Sequence, residues 1–284
     1  MEHNREYYFD KLQTLNLSDD FLFRTVMRNP EICREVIEEI LEIKIKEIKY
    51  IEEQKDIKDV YKGKGVRLDV YVDDEESTVY NLEMQTDNRG NLEHRIRFYQ
   101  SKIDTNLLKE GVDYKKLNKC YIIFICCFDY FRLGRYKYTF ENICAEDTEL
   151  KLNDGAYKIF LNTKGSIGDV SNNLKDFLKY IENSTDEFAK KSESRLVKKI
   201  NDNINEIKKS QIMGVSYMFE EIHRSEVYND GKEEGIEIGK EEGIEIGIDQ
   251  MIISMIKFGF ESILINSVTH VPIERIEKLR EAYV

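Results

Sequence analysis

The stretch from Val66 to Gln85, VRLDVYVDDEESTVYNLEMQ, constrains the fold more than any other part of the chain. Apolar and polar residues alternate in both of its halves, which is the period of half-buried strands. The polar run between the halves, residues 73–77, predicts a turn. The stretch therefore predicts an antiparallel hairpin, with the apolar set on one face and Asp69, Glu83 and Gln85 on the other.

The predicted hairpin places two carboxyl groups opposite each other. A turn centred on Glu76 pairs Asp69 with Glu83, and side chains so paired have Cβ atoms roughly 4.5–5.5 Å apart. Two carboxylates at that distance repel each other unless one is protonated or a cation lies between them. Gln85 lies two residues further on the same face, where its amide can hydrogen-bond whatever the carboxylates hold. A solvated acidic hairpin is the alternative interpretation.

An Asp that is followed on the next strand by Glu-x-Gln resembles a known kind of nuclease site. In PD-(D/E)xK nucleases an Asp ends one strand and a Glu-x-Lys follows on the next. Here Asp69 is followed by Glu83, Met84 and Gln85, so a Gln stands in the Lys position. Together with its flanks, the chain resembles the Rpn family of recombination-promoting nucleases, which are also described as transposases of the PD-(D/E)xK type. The resemblance covers roughly residues 20–131.

This resemblance implies a set of site residues and a cofactor. Asp69, Glu83 and Gln85 are expected to be catalytic. Asp69 and Glu83, with the backbone carbonyl of Met84, are expected to hold Mg²⁺, and Mn²⁺ is the alternative metal. The Gln in place of Lys carries no charge, so any charge stabilisation at this site must come from the metal or from an arginine.

Two further motifs of the family lie on predicted helices. Asp-x-x-Phe-Lys/Arg is matched at Asp20, whose carboxylate is either an outer acidic residue of the metal site or an ordinary acid in the first turn of a helix. An Arg-x-x-x-Tyr arrangement is matched by Arg95 and Tyr99. Tyr99 is expected to pack in the core. Arg95 and Arg97 are expected either to contact phosphates of a nucleic acid or to be solvated.

The order of predicted elements around the hairpin is helix, strand, strand, strand, helix, strand. Asn29-Pro30 begins the first helix, and a buried strand ends the series. This αβββαβ order is that of the PD-(D/E)xK core, so the predicted fold class is α/β with a mixed central sheet flanked by helices. The first strand of this series is predicted at Ile43–Ile51 and the last at Cys120–Phe128. The other predicted segments are a loose lead-in over residues 1–16, a helix capped by Ser18 or Asp19, and further strands at Tyr136–Phe140 and Tyr157–Leu161.

The C-terminal part of the chain predicts helices and an unusual repeat. The sequence GKEEGIEI begins at Gly231 and again at Gly239, so glycine recurs every four residues up to Gly247. We expect a helix there, although a flexible acidic linker is the alternative, and two short helices after it. The predicted domains are a nuclease-like domain over residues 1–165, a helical extension over 166–225 and a C-terminal part over 226–284. A homodimer is expected to form through this C-terminal region.

Charge and cysteine content narrow the class of protein. The formal net charge is −12, but residues 226–249 alone contain nine acidic residues and two lysines, whereas residues 87–135 are locally basic. The five cysteines show no zinc-binding spacing, and no signal peptide or membrane span is apparent, so a cytoplasmic protein is expected. The predicted function is an Mg²⁺-dependent DNA endonuclease. The alternative is an inactive nuclease fold that binds nucleic acid or proteins.

Overall fold

The computed structural model describes residues 2–57, 66–108 and 110–283, with the backbone alone at residues 2–4, 50, 53, 54, 56, 66 and 67. The strands are β1 (Ile48–Ile57), β2 (Val66–Asp74), β3 (Val79–Gln85), β4 (Cys120–Cys126), β5 (Lys137–Phe140) and β6 (Ala156–Asn162). The helices are α1 (Glu2–Thr14), α2 (Asp20–Met27), α3 (Pro30–Leu41), α4 (Leu92–Leu107), α5 (Asn172–Glu182), α6 (Asp186–Lys191), α7 (Arg195–Lys209), α8 (Gln211–Lys257), α9 (Ser262–Thr269) and α10 (Ile273–Tyr283).

One six-stranded mixed sheet organises the first part of the chain, with strand order β1-β2-β3-β4-β6-β5. The pairs β1–β2, β2–β3 and β5–β6 are antiparallel. The pairs β3–β4 and β4–β6 are parallel. The elements α3, β1, β2, β3, α4 and β4 follow one another in the predicted αβββαβ order, so the predicted fold class is confirmed.

Both faces of the sheet are covered, which corrects the prediction of half-buried strands. The larger core lies between one face and α2, α3, α5 and α7. The smaller core packs α4 on the other face. All seven residues of β3 are buried as a result. Leu68 also leaves the predicted alternation, because it packs in the smaller core with Tyr71 whereas Val70 and Val72 pack in the larger one.

Local signals located most helix ends but missed one helix. The Asp19 carboxylate caps α2 by accepting from Leu22 N, and Asn29 caps α3. The predicted loose lead-in is wrong, because α1 occupies it and Leu12 packs there against Phe21 and Tyr217. Tyr217 lies about two hundred residues away along the chain, so no local pattern could have indicated this contact.

The strand predicted to begin at Ile43 begins at Ile48 instead. Ile45 is buried, but the Lys46 and Glu47 amides donate to the Glu75 carboxylate in the β2–β3 turn, which fixes this segment as a loop. The glycines of the predicted loop between β1 and β2, Gly63 and Gly65, lie outside the described residues.

The chain divides into two compact units, Met1–Tyr217 and Met218–Val284. In the first, α5 and α7 share the larger core with the sheet. The domain boundaries expected after residues 165 and 225 stay a prediction. In the second unit, α8 runs helically through the glycine repeat, as expected, and its end forms a small core with α9 and α10. Among the described helices, none combines the length and apolar character that crossing a bilayer requires.

Candidate active site

The β2–β3 register brings Asp69 and Glu83 together. The observed pairs run from Asp73 with Val79 to Val70 with Leu82, which centres the turn on Glu76 as the sequence predicted. The next pair along this register is Asp69 with Glu83. Two hydrogen bonds hold them: the Asp69 backbone N–H donates to Glu83 Oε1 (3.2 Å), and the Met84 backbone N–H donates to Asp69 Oδ2 (3.1 Å).

Burial makes this pair of acids hard to ionise. The Glu83 side chain is 1% exposed. Burial, followed by the negative charge of Asp20, raises the pKa of Asp69 to about 7, although the Met84 N–H and the charges of Arg24 and Arg95 oppose the rise. Burial and the charge of Asp69 likewise raise the pKa of Glu83 well above its usual range. The two carboxyl groups therefore form a site that holds a proton or favours a cation.

Asn81 is a site residue that the sequence reasoning did not single out. Its side chain is fully buried, and its Nδ2 donates to Glu83 Oε1 at 3.0 Å. Its Oδ1 has no hydrogen-bond partner within the part of the chain that the structure describes. The available signal was position, because residues two apart on a strand share a face.

Gln85 and Arg95 meet at the next position along the strand. Arg95 Nη1 donates to Gln85 Oε1 at 2.7 Å, and Arg95 Nη2 donates to the Tyr99 hydroxyl at 2.8 Å and lies 3.8 Å from Glu83 Oε2. The guanidinium also lies over the rings of Tyr99 and Phe124. A positive charge is thus fixed beside the uncharged Gln85, on the side of the site that α4 forms.

Asp20 shows features of both interpretations given above. It is the first residue of α2, and its carboxylate forms an ion pair with Arg24 Nε at 3.3 Å. Its charge is nevertheless close enough to raise the pKa of Asp69. Asp20 therefore contributes negative potential to the site while it is itself held by a buried arginine.

Arg97 lies apart from these residues. It is exposed, whereas Arg95 is partly buried and Tyr99 is buried in the smaller core. Residues two apart on a helix point to different faces. The two arginines that the sequence grouped together therefore occupy different environments.

The site offers hard oxygen donors to a metal. Among the described residues, no three His, Cys, Asp or Glu side chains converge on one point as a ready-made metal centre. Mg²⁺ does not need such a cage, because it keeps several waters and usually binds through one or two carboxylates. Two carboxyl groups that lie side by side, one buried and one partly buried, fit that requirement.

Comparison with known proteins identifies the family. Residues 17–231 of the chain match the family described as PD-(D/E)XK nuclease family transposase. The match covers well over half of the 284 residues and includes every site residue described above. Comparisons with curated proteins and with solved structures gave no match. With its αβββαβ core and its Asp69–Glu83 pair, this chain belongs to the PD-(D/E)XK nuclease family transposases.

Proposed function

We propose that this protein is a metal-dependent DNA endonuclease that hydrolyses phosphodiester bonds. The observation that carries the proposal is the Asp69–Glu83 pair, in which two carboxyl groups lie side by side, burial raises the pKa of both, and the charge of Asp69 raises that of Glu83 further. A structural role would be served better by one acid and one base. A pair of this kind suits a divalent cation, which removes the repulsion when it binds.

Asp69, Glu83 and the backbone carbonyl of Met84 are the proposed metal ligands, and Asp20 is the proposed outer acid. The metal is Mg²⁺, with Mn²⁺ as the alternative. When bound, such an ion lowers the pKa of a coordinated water and polarises a phosphoryl oxygen. Asn81 holds the Glu83 carboxylate in place through its Nδ2, which is the usual task of a residue behind a metal ligand.

Arg95 is proposed to supply the positive charge that Gln85 lacks. Its guanidinium is held at Gln85 and Tyr99 by two hydrogen bonds and is supported by two aromatic rings. A guanidinium that is already oriented can bind a phosphate oxygen without a large loss of side-chain entropy. Gln85 is proposed to orient the attacking water or to contact the phosphate.

DNA is the proposed substrate, and it would approach along α4 past Arg95 and Arg97. The chain as a whole is acidic, so this approach depends on the locally basic stretch of residues 87–135. A homodimer through the C-terminal region would suit a cut in both strands of a duplex. We also place the protein in the cytoplasm and propose a role in promoting recombination, as the resemblance to the Rpn family implies.

Cleavage of supercoiled plasmid DNA tests the proposal. The wild-type chain should nick or linearise the plasmid with Mg²⁺ and should be inactive with EDTA. Asp69→Ala should be inactive in both. Asp73→Asn is the control, because it changes a second, partly buried Asp of the same strand. Wild-type protein that binds DNA but cuts none with Mg²⁺ or Mn²⁺ would favour an inactive nuclease fold that acts as a binding module.

A further inference from the structure

The glycine repeat in α8 leaves large apolar side chains uncovered. Four isoleucines of the repeat are about half exposed or more, at 48% to 63%. They are Ile236, Ile238, Ile244 and Ile246. Each directly precedes or follows a glycine, so the isoleucines flank the glycines on both sides and do not form one helix face.

A period of four residues sorts the repeat into four ridges along the helix. Glycine forms the first ridge, from Gly231 to Gly247. The residues directly after each glycine form the second ridge, which alternates lysine and isoleucine and ends in isoleucine: Lys232, Ile236, Lys240, Ile244, Ile248. The residues three positions after each glycine form the third ridge, which alternates glutamate and isoleucine and ends in glutamine: Glu234, Ile238, Glu242, Ile246, Gln250. The fourth ridge, opposite the glycines, is entirely acidic: Glu233, Glu237, Glu241, Glu245, Asp249.

The glycine ridge is open. At each of the five glycines from Gly231 to Gly247, an added Cβ would meet no atom of the described chain within 4 Å. These glycines therefore serve no close contact within the chain, although each lowers helix stability relative to alanine. Elsewhere in the same helix, at Gly214, the space is filled by the Phe9 ring. The open ridge thus differs from a glycine that the fold of the chain itself requires.

We propose that the α8 repeat pairs, parallel and in register, with the same repeat of a second copy of this chain. The inference rests on the homodimer proposed above and specifies its geometry. In a parallel two-fold pair whose glycine ridges meet, the lysine–isoleucine ridge of one helix faces the glutamate–isoleucine ridge of the other on both sides. Each lysine then lies near a glutamate of the second copy, and each isoleucine lies near an isoleucine.

Charge decides between the two possible orientations. In an antiparallel pair, the two glutamate–isoleucine ridges would face each other, and so would the two lysine–isoleucine ridges. Like charges across an interface are unfavourable. In the parallel pair, opposite charges meet and the acidic ridge of each helix points away into solvent. Ridges at i±4 that interdigitate give a crossing angle of about −50°, and glycine at this spacing permits the close approach that such a crossing needs.

Cross-linking of the full chain tests the orientation. Gly235→Cys lies one turn from the centre of the ridge, near the crossing of the two helices, and it meets its own copy only in a parallel, in-register pair. Mild oxidation should therefore give a covalent dimer in good yield. Glu233→Cys, on the acidic ridge, is the matched control and should give at least about tenfold less, and wild type gives the background of the five native cysteines. Equal yields from the two variants, or no cross-link from Gly235→Cys, would overturn the parallel pairing.

Charge reversal tests the contacts. Lys232→Glu/Lys240→Glu leaves glutamate on both ridges that flank the glycines, and Glu234→Lys/Glu242→Lys leaves lysine on both of these ridges. Each variant alone should dimerise at least about tenfold more weakly than wild type by light scattering, and an equimolar mixture should recover wild-type affinity. Variants that dimerise normally alone would refute the proposed contacts. Variants that stay monomeric when mixed would refute them too.

Larger side chains on the glycine ridge give the third test. Gly235→Gln/Gly239→Gln/Gly243→Gln should raise the helix content measured by circular dichroism, because glutamine favours helix more than glycine does. It should nevertheless make the chain monomeric. A triple variant that remains dimeric would overturn the ridge contact. Plasmid cleavage by the same variants is measured separately, so failure of the pairing is distinguishable from failure of the Asp69 site.

Discussion

Strand β2 contains two aspartates whose surroundings differ. At the turn end, the buried Asp74 carboxylate accepts hydrogen bonds from Glu76 N (2.9 Å), Thr78 N (2.8 Å) and the Tyr80 hydroxyl (2.7 Å). Nearer the middle of the strand, the partly buried Asp69 accepts one backbone N–H and faces Glu83.

The difference separates an acid that stabilises a turn from the acid that we propose as a metal ligand. Asp74 is 5% exposed, yet neutral donors satisfy its charge and it closes the turn. Asp69 lacks that set of donors, and the charge of Asp20 raises its pKa further. Burial alone therefore does not indicate a site. An acid whose surroundings leave its charge uncompensated does.

The largest effect expected from this contrast is on catalysis. Glu83→Gln keeps the shape of the side chain but removes the charge, so cleavage of plasmid DNA should fall on the order of 10³-fold. Glu76→Gln, at the exposed tip of the turn, should cleave like wild type. A Glu83→Gln variant that retains activity within a few-fold of wild type would remove Glu83 from the catalytic set.

The pH dependence of metal-free stability should come next in size. The folded Asp69 keeps its proton up to a pKa of about 7, whereas an unfolded Asp loses it near 3.9. The folded state therefore binds more protons between those values, and stability should fall as pH rises through that window, by on the order of 2–4 kcal/mol. Urea unfolding in EDTA at pH 5 and pH 8 measures this. Asp69→Asn should show a much smaller fall, and an equal fall in both proteins would contradict the assignment.

Asp74→Asn is the same chemical change at the turn end of the strand, and its sign should be reversed. It replaces hydrogen bonds to a charged carboxylate by hydrogen bonds to a neutral amide and turns the Tyr80 hydroxyl from a donor into an acceptor, so stability should fall by about 1–3 kcal/mol at pH 8. Urea unfolding gives the value. Plasmid cleavage per folded molecule should be unchanged. A neutral Asp74→Asn would mean that the turn does not depend on these hydrogen bonds.

The smallest effect should separate the two arginines of α4. Arg97 is exposed, so Arg97→Ala should weaken binding to every DNA sequence to a similar, modest degree and reduce the salt dependence of binding by about one phosphate contact. Arg95→Ala should also reduce the cleavage rate of bound DNA, because Arg95 contacts Gln85. Lys190→Ala, on α6 at the opposite face of the sheet, is the control. An unchanged salt slope would take Arg97 out of the phosphate-contact set.

The register of the hairpin was predictable because a polar run separates two alternating segments, so its centre at Glu76 and the pairing of Asp69 with Glu83 followed. The order of the core elements was predictable for the same reason. The hydrogen-bond donors around Asp69 and Asp74 were not predictable. Tyr80 alternates like any core residue, yet its hydroxyl satisfies Asp74. The burial of both faces of the sheet depends on helices distant in sequence, which no local pattern of β2 or β3 encodes.

Arg95 shows the same limit at the site. A helix periodicity placed it off the apolar stripe, which is consistent with solvation or with phosphate contact. Its contact with Gln85 and Tyr99 depends on how α4 packs against β3 and β4. The sequence could indicate that the metal or an arginine must supply the charge of the missing lysine, but only the packing shows which arginine lies beside Gln85.

Thermal melting of wild type and Asp69→Asn, each in EDTA and in Mg²⁺ at pH 8, tests the central claim that the Asp69–Glu83 pair binds a cation. In EDTA, Asp69→Asn should be as stable as wild type or more stable, because it removes the repulsion with Glu83. Mg²⁺ should raise the melting temperature of wild type, since a ligand that binds only the folded state stabilises it, and should raise that of the variant much less. A variant that is equally destabilised in both buffers, beside a wild type that does not respond to Mg²⁺, would contradict the metal site.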